Sequence, residues 1–367
     1  MNWLAWRQHR KQFMILGIIL ALYAVLAITM GNHLWHTYQY ALSTCGKTDT
    51  CSQLNQNLFQ TGWSNVLNPT SSDGFPILEL LIVIVPFVVG MLIGVPLIAR
   101  EYNEGTNKLA WTQGVSRRKW LTLKLAWVLI ATAIFMGIFA LLTTWFSRTG
   151  NVLNQDRFTG IFFDIQGITP IGYAIFVVSL VVALGAWLKR ILVALGIAFV
   201  ILAAVSILVP SYVRPHYETP RTYNTSLSAS LNGNGSPDSP PTPSGSGAAW
   251  VTGGSIVNKQ GQQLNWSSPP QKCIVTSVGG NPIPSGHTTA VRTVPGNGTG
   301  TPNAITSRNG GPSVGFDCLT SLGYHWRVQY QPAYRYWDFQ RIETGLYLVL
   351  SVIPLAATYW LVLRRDA

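Results

Sequence analysis

Long uncharged apolar runs separated by polar stretches dominate the chain. Six of them reach the roughly 20 residues needed to cross about 30 Å of hydrocarbon. They are residues 13–30, 77–98, 121–146, 170–188, 191–210 and 344–363. Only Lys189 and Arg190 separate the fourth run from the fifth. Each cation at mid-bilayer costs roughly 2.5–3.5 kcal/mol on insertion scales, so the pair belongs at a surface. The two runs are therefore expected to form a tight helical hairpin. The first run does not read as a cleavable leader, because Gly31-Asn32-His33-Leu34-Trp35 lacks the small-x-small cleavage pattern.

The polar remainder is unevenly built. Residues 1–12 place Trp3, Leu4 and Trp6 ahead of Arg7, Arg10 and Lys11, which predicts an interfacial amphipathic helix on the inner leaflet. Residues 31–76 form a polar loop with turn signals at Asn68-Pro69 and Asp73-Gly74. Residues 224–248 are rich in Ser, Gly, Pro and Asn and read as a flexible tether. Within 249–342, short β-prone runs such as CIVTSV, TTAVRTV and HWRVQYQ alternate with Gly and Pro. The expected architecture is an all-α polytopic membrane protein with six transmembrane helices. A small β-rich, loop-rich extracytoplasmic domain, within 211–343, precedes the last helix. No internal repeat is evident.

Composition supports this. Charged residues are 10% of the 367, against about 25% in ordinary globular domains. A cytosolic globular enzyme, a disordered regulator and a small disulfide scaffold are all excluded. The net charge of +12 could suggest nucleic acid, but the distribution of Lys and Arg reads as an orientation signal. With the N-terminus inside, the inner segments are 1–12, 99–120, 189–190 and 364–367. They carry Arg7, Arg10, Lys11, Arg100, Lys108, Arg117, Arg118, Lys119, Lys189, Arg190, Arg364 and Arg365. Lys124, one turn into the third run, can snorkel to the same face. Those 13 of 25 basic residues fall in or beside about 40 positions, while the short external loops are poor in them. Both termini are thus expected in the cytoplasm, with the chain in the cell membrane.

All four cysteines fall on the expected outer side. Four cysteines allow three pairings. Pairing within each external segment gives Cys45–Cys51 and Cys273–Cys318, with free thiols as the alternative. No His lies at ligand spacing for zinc.

Catalytic signals are weak. Residues 41–48, ALSTCGKT, fit a loose phosphate-loop pattern with Lys47 in the lysine position. Such a loop needs a preceding strand and a helix N-terminus facing the phosphate. Here it follows a membrane run on the outer side, so it reads as an ordinary polar loop. No HExxH occurs. The runs hold almost no ionisable groups beyond Glu79 and Lys124 at their ends, which tells against an intramembrane protease or proton-driven carrier. Gly90 and Gly94 form a GxxxG in the second run, a pattern that permits close helix packing.

The informative inner segment is 99–124, AREYNEGTNKLAWTQGVSRRKWLTLK. Its charges flank the apolar stretch at 109–111, so a short helix there would present one apolar and one charged face to a partner. This segment resembles the inner loop of ABC-2 type transporter permeases, the membrane subunits of ATP-binding-cassette exporters. The resemblance lies in Glu101-Tyr102-Asn103-Glu104-Gly105-Thr106, then Val115-Ser116-Arg117-Arg118-Lys119-Trp120-Leu121 and Lys124-Leu125. Residues 331–343, QPAYRYWDFQRIE, look like the last external segment of an actinobacterial-type branch of that family. The resemblance covers the six runs and residues 1–12, but not clearly 211–330.

The resemblance implies a permease subunit that forms the translocation pathway as a dimer, with a second copy or a homologous chain. It implies a separate ATPase subunit that binds ATP and Mg, leaving this chain without a cofactor or catalytic residue of its own. The expected ATPase-coupling residues are Glu101, Glu104, Gly105, Thr106, Trp111, Gln113, Arg117 and Arg118. The rival reading is a non-transport multi-pass receptor or assembly factor presenting the external domain.

Overall fold

The structure, a computed structural model, describes residues 2–45, 85, 88–90, 116–148, 157–158, 160–188, 190–227, 249–265, 268–274, 277–278, 281–282, 304–305 and 314–364. The chain divides into two compact units. One comprises Met1–Tyr217 with Tyr334–Ala367, and the other Glu218–Ala333.

The first unit is helical. Its long elements are α1 (Asn2–Cys45), α2 (Arg117–Phe146), α4 (Thr169–Leu188), α5 (Ile191–Leu208) and α7 (Tyr336–Arg364); the short α3 (Gly160–Ile165) precedes α4. Five segments of these are long and apolar enough to cross a membrane: Phe13–His33, Arg118–Phe146, Thr169–Leu188, Leu192–His216 and Ala333–Arg364. They match five of the six predicted runs. The sixth, 77–98, lies mostly beyond the described residues. Of it, Val85, Val88 and Val89 are helical, Gly90 forms part of a wider π turn, and Val89 is buried. The loop at 46–76 and the segment at 99–115 are also not among the described residues. Residues 2–12 belong to the same uninterrupted helix as the first span.

Helix α4 is the hub. Of its most apolar window 67% is buried, against at most 33% in the other spans. A helix apolar on every face belongs in the middle of a bundle, and α4 packs against α2, α5 and α7. Arg190 is extended and precedes α5, and the Tyr173 hydroxyl of α4 meets Ser206 of α5, so the two helices form a hairpin, as expected. Paired contacts fix the directions of the helices. Tyr23 meets Thr143 and Phe139, Gly31 meets Trp145, and Trp35 meets Arg148, so α1 runs parallel to α2. Thr169 meets Gln340, Gly172 meets Thr344 and Phe176 meets Tyr347, so α4 runs parallel to α7. Close approach needs small residues. A Cβ on Gly172 would stand 3.0 Å from the Thr344 carbonyl oxygen, and one on Gly90 would strike Val177. The second observation is the close approach that a GxxxG pattern permits at Gly90.

The second unit holds an antiparallel sheet of β1 (Arg221–Thr225), β7 (His325–Gln331) and β2 (Trp250–Val257), in the order β1-β7-β2. The register pairs Arg221 with Tyr330 and Val257 with His325, with a bulge between Val251 and Gly253. Two-residue strands β3 (Ser277–Val278) and β4 (Asn281–Pro282) pair, as do β5 (Ala304–Ile305) and β6 (Val314–Gly315). A short helix α6 (Phe316–Ser321) follows. Alternation on β7 sends Trp326 and Val328 into a core with Leu227, Ile256, Leu264 and Leu319. The Cys273–Cys318 disulfide lies in that core, with Cα atoms 5.4 Å apart. This is one of the two expected bridges. Cys45 ends α1, while Cys51 is beyond the described residues.

The predicted run HWRVQYQ is β7. Among the described residues of CIVTSV, Ser277 and Val278 form a strand, and TTAVRTV is not described. Order also reaches into the segment read as a tether: Asn224 and Thr225 pair in β1, and Leu227 is fully buried. Local composition cannot reveal this, because β1 is held by β7 about 100 residues later in the chain.

Candidate functional site

Of the eight expected coupling residues, Glu101, Glu104, Gly105, Thr106, Trp111 and Gln113 are not among the described residues. Arg117 opens α2, and Arg118 is exposed in its first turn. Ser116 caps the helix, its hydroxyl oxygen accepting from the Lys119 amide at 3.4 Å. Three cations in a first turn that contains no acid oppose the helix dipole, at a few tenths of a kcal/mol each. Helix stability therefore does not explain them. Lys124 places its ammonium 4.6 Å from the centroid of the buried Trp120 ring. Of the phosphate-loop match, Ala41–Cys45 is helical, so no strand delivers it; Lys47 is not described.

The developed polar site lies at the opposite end of α2, where α4 and α7 begin. Its centre is Arg214. The apolar run of α5 continues into a π turn (Val209–Val213) and a 3-10 turn (Arg214–His216). Pro210 supplies no amide and crowds the preceding carbonyl, and the wider turn accommodates it. Arg214 is thereby buried, at 1% exposure. Its Nε donates to Glu343 Oε2 at 2.9 Å and its Nη2 to Glu343 Oε1 at 2.7 Å. The same Nη2 donates to Asp164 Oδ1 of α3. The face of Phe163 lies 4.2 Å from the guanidinium carbon. Glu343 is itself fully buried and also accepts from the Tyr217 hydroxyl at 3.2 Å.

One guanidinium serves two carboxylates. Burial pushes the Asp164 carboxyl up to about 8; Arg214 pulls it down, and the neighbouring Glu343 carboxylate adds to the rise. Burial and the Glu343 charge likewise raise the Tyr217 phenol well above its ordinary value, so it remains a proton donor.

Gln340, one turn before Glu343, completes the site. Its Oε1 accepts from the amides of Ile168 and Thr169, both at 2.9 Å, and from the Thr169 hydroxyl at 2.7 Å. Its Nε2 donates to the Phe163 carbonyl at 3.0 Å and to the Tyr336 hydroxyl at 3.2 Å. The first amides of a helix lack intrahelical partners, so α7 caps the start of α4 in trans. The turn before α4 needs Gly167 twice over. Its φ is +66°, and a Cβ there would stand 2.6 Å from Gln340 Oε1. The Gly167 amide donates to Thr144 Oγ1 of α2 at 3.0 Å. Phe158, Tyr336 and Phe339 pack edge to face around the network.

This arrangement ties three parts of the helical unit together. Both carboxylates are bound to Arg214, and among the described residues no group of His, Cys, Asp and Glu could hold a metal ion. Sequence reasoning singled out Gln340 and Glu343 only as parts of a motif, and missed Arg214 and Asp164. The readable signal was ionisable residues of both signs bordering three apolar runs. A charge there is costly unless paired.

Long apolar helices around a buried hub, with a small disulfide-held sheet unit inserted in the chain between α5 and α7, define a polytopic membrane protein. The chain belongs to the family described as ABC-2 membrane transporter related, which matches residues 17–214, more than half its length. No curated protein and no solved structure matches it. Membership makes the chain a permease-type component of ABC transporters, a class whose members typically lack an ATPase site of their own.

Proposed function

We propose that the chain is the membrane subunit of an ABC exporter, working as a dimer of permeases and driven by a separate ATP-binding subunit. The family match carries this reading, because residues 17–214 run from the first span to Arg214. ATP and Mg belong to the partner, which docks on 99–120 with Glu101, Glu104 and Arg117 at the contact. The chain resides in the cytoplasmic membrane, with both termini inside and the second unit outside.

Helix direction supports six spans. Because α1 and α2 run parallel, the chain between Cys45 and Arg117 must recross the bilayer an odd number of times. The run at 77–98 is the one segment there apolar and long enough to do so. In this orientation the Arg214–Glu343–Asp164 cluster lies at the outer end of the bundle. It ties α3, α5 and α7 together where the chain leaves for the second unit and returns.

Affinity purification of the tagged chain from its native membrane should bring down an ATP-binding-cassette ATPase, and the reconstituted pair should hydrolyse ATP. In whole cells, single cysteines at 224–330 should react with an impermeant maleimide and those at 100–119 should not. Reaction at 100–119 from outside overturns the orientation; purification with no ATPase overturns the assignment as a driven permease.

A further inference from the structure

The far ends of α4 and α7, away from the ion cluster, carry a second arrangement. Because these helices run parallel, their last turns lie side by side. Trp187 of α4 and Trp360, Leu361 and Arg364 of α7 line an open cavity of about 270 Å³. Both indoles are more than half exposed, at 55% and 58%. The Arg364 guanidinium carbon lies 5.8 Å from the Trp360 ring centroid.

The chemistry of the lining is two-sided. Its walls are indole and leucine carbon, and its rim carries a permanent cation. Exposed tryptophans at the end of a span favour the headgroup boundary of a bilayer, where one edge is apolar and the other wet. Arg190, three residues beyond Trp187, precedes α5 and adds a second cation in sequence. Residues 184–195 hold Lys189 beside Arg190 and no acid, and Arg365 follows Arg364 ahead of Asp366, so these segments keep a net positive charge. Apolar walls offer little to a free phosphate ion. A phospholipid satisfies both parts, placing its phosphate at the cation and its glycerol esters and first methylenes against the rings.

We propose that this cavity binds the headgroup of an anionic phospholipid from the leaflet at the Arg364 end of the bundle. Arg364 holds the phosphate, and Trp187 and Trp360 flank the glycerol backbone. The inference requires only that α4 and α7 cross a bilayer. It does not depend on transport or on an ATPase, so its failure leaves the permease reading standing.

The full chain, reconstituted in phosphatidylcholine, is probed with spin-labelled phosphatidylglycerol and, separately, spin-labelled phosphatidylcholine. The ratio of their association constants is the readout. One cation near an anionic headgroup changes that ratio by about fivefold. Arg364→Gln should lower the preference for phosphatidylglycerol by about that factor, and Arg364→Lys should retain most of it. Trp187→Ala, on the opposite wall, should weaken it independently and keeps the test alive if the Arg364 variants do not reconstitute. Arg118→Gln removes a cation from the same end of the bundle and should leave most of the preference intact. Equal association of the two lipids with the unaltered chain overturns the proposal. So does a loss with Arg118→Gln as large as with Arg364→Gln, which would mean diffuse surface charge. Displacement of the labelled lipid by soluble glycerol phosphate would mean a phosphate site and also overturn it.

Discussion

At the scale of single residues, the energetics concentrate on Arg214. A buried ion pair is weak evidence of net stability, but removing one partner strands the other without solvent or counter-charge. Arg214→Gln should therefore lower unfolding stability in detergent by roughly 3–5 kcal/mol, read from thermal melts followed by size-exclusion chromatography. Simultaneous replacement of Arg214 and Glu343 by Leu, with Asp164→Asn, should lose less, because no buried charge remains. The second carboxylate gives the cluster a pH dependence. The Asp164 carboxyl has its folded pKa raised to about 8, above roughly 3.9 in an unfolded chain. The folded state holds that proton more tightly, so this contribution is full below about pH 4 and is lost as pH rises through about 8. The melting temperature of the unaltered protein should fall between pH 5 and pH 9 relative to that of Asp164→Asn. Parallel pH profiles would show that Asp164 does not titrate in this range.

At the scale of elements, packing distances decide tolerance. Gly172 meets the Thr344 backbone so closely that Leu there must separate α4 from α7. Overpacking of this kind costs roughly 1–3 kcal/mol, and Gly172→Leu should show it as a lower melting temperature. Among the described residues, no neighbouring side chain or element comes within 4 Å of where a Cβ on Gly196 of α5 would stand, so Gly196→Ala is the control without overpacking. In the proposed coupling segment, Glu104→Lys should leave the protein inserted but reduce permease stimulation of the ATPase; unchanged stimulation counts against a contact there. The helices were readable because a span must be apolar over about 20 residues, and the Lys189–Arg190 break located the α4–α5 hairpin. Their neighbours were not. That α4 would be the hub depends on which faces meet, and α4 and α5 are both apolar on every side.

At the scale of the whole molecule, the described residues of the second unit build a core of seven buried side chains around one disulfide. The Cys273–Cys318 bridge spans 45 positions. On the chain-entropy account a loop of that size contributes roughly 3–4 kcal/mol. Cys318→Ser should lower protease resistance of residues 218–333 and reduce surface yield, with melting of the helical unit largely unchanged. Equal protease resistance in oxidised and reduced protein would show that the sheet holds without it.

Taken alone, the amino-acid sequence indicated that the chain crosses a membrane and where most of its spans lie, and it narrowed the cysteine pairings to a few, among them the Cys273–Cys318 bridge that the fold contains. Those properties are set by composition over short windows: hydrocarbon excludes charge along a whole segment, and two cysteines in one segment have few alternatives. It took the folded chain to show that Arg214, Glu343 and Asp164 share one site, that Gln340 caps a helix more than 170 positions away, and that β1 borders β7. Each of these joins residues far apart in sequence, and the chemistry that rewards the meeting, a charge neutralised or an amide satisfied, exists only once the helices and strands have come together.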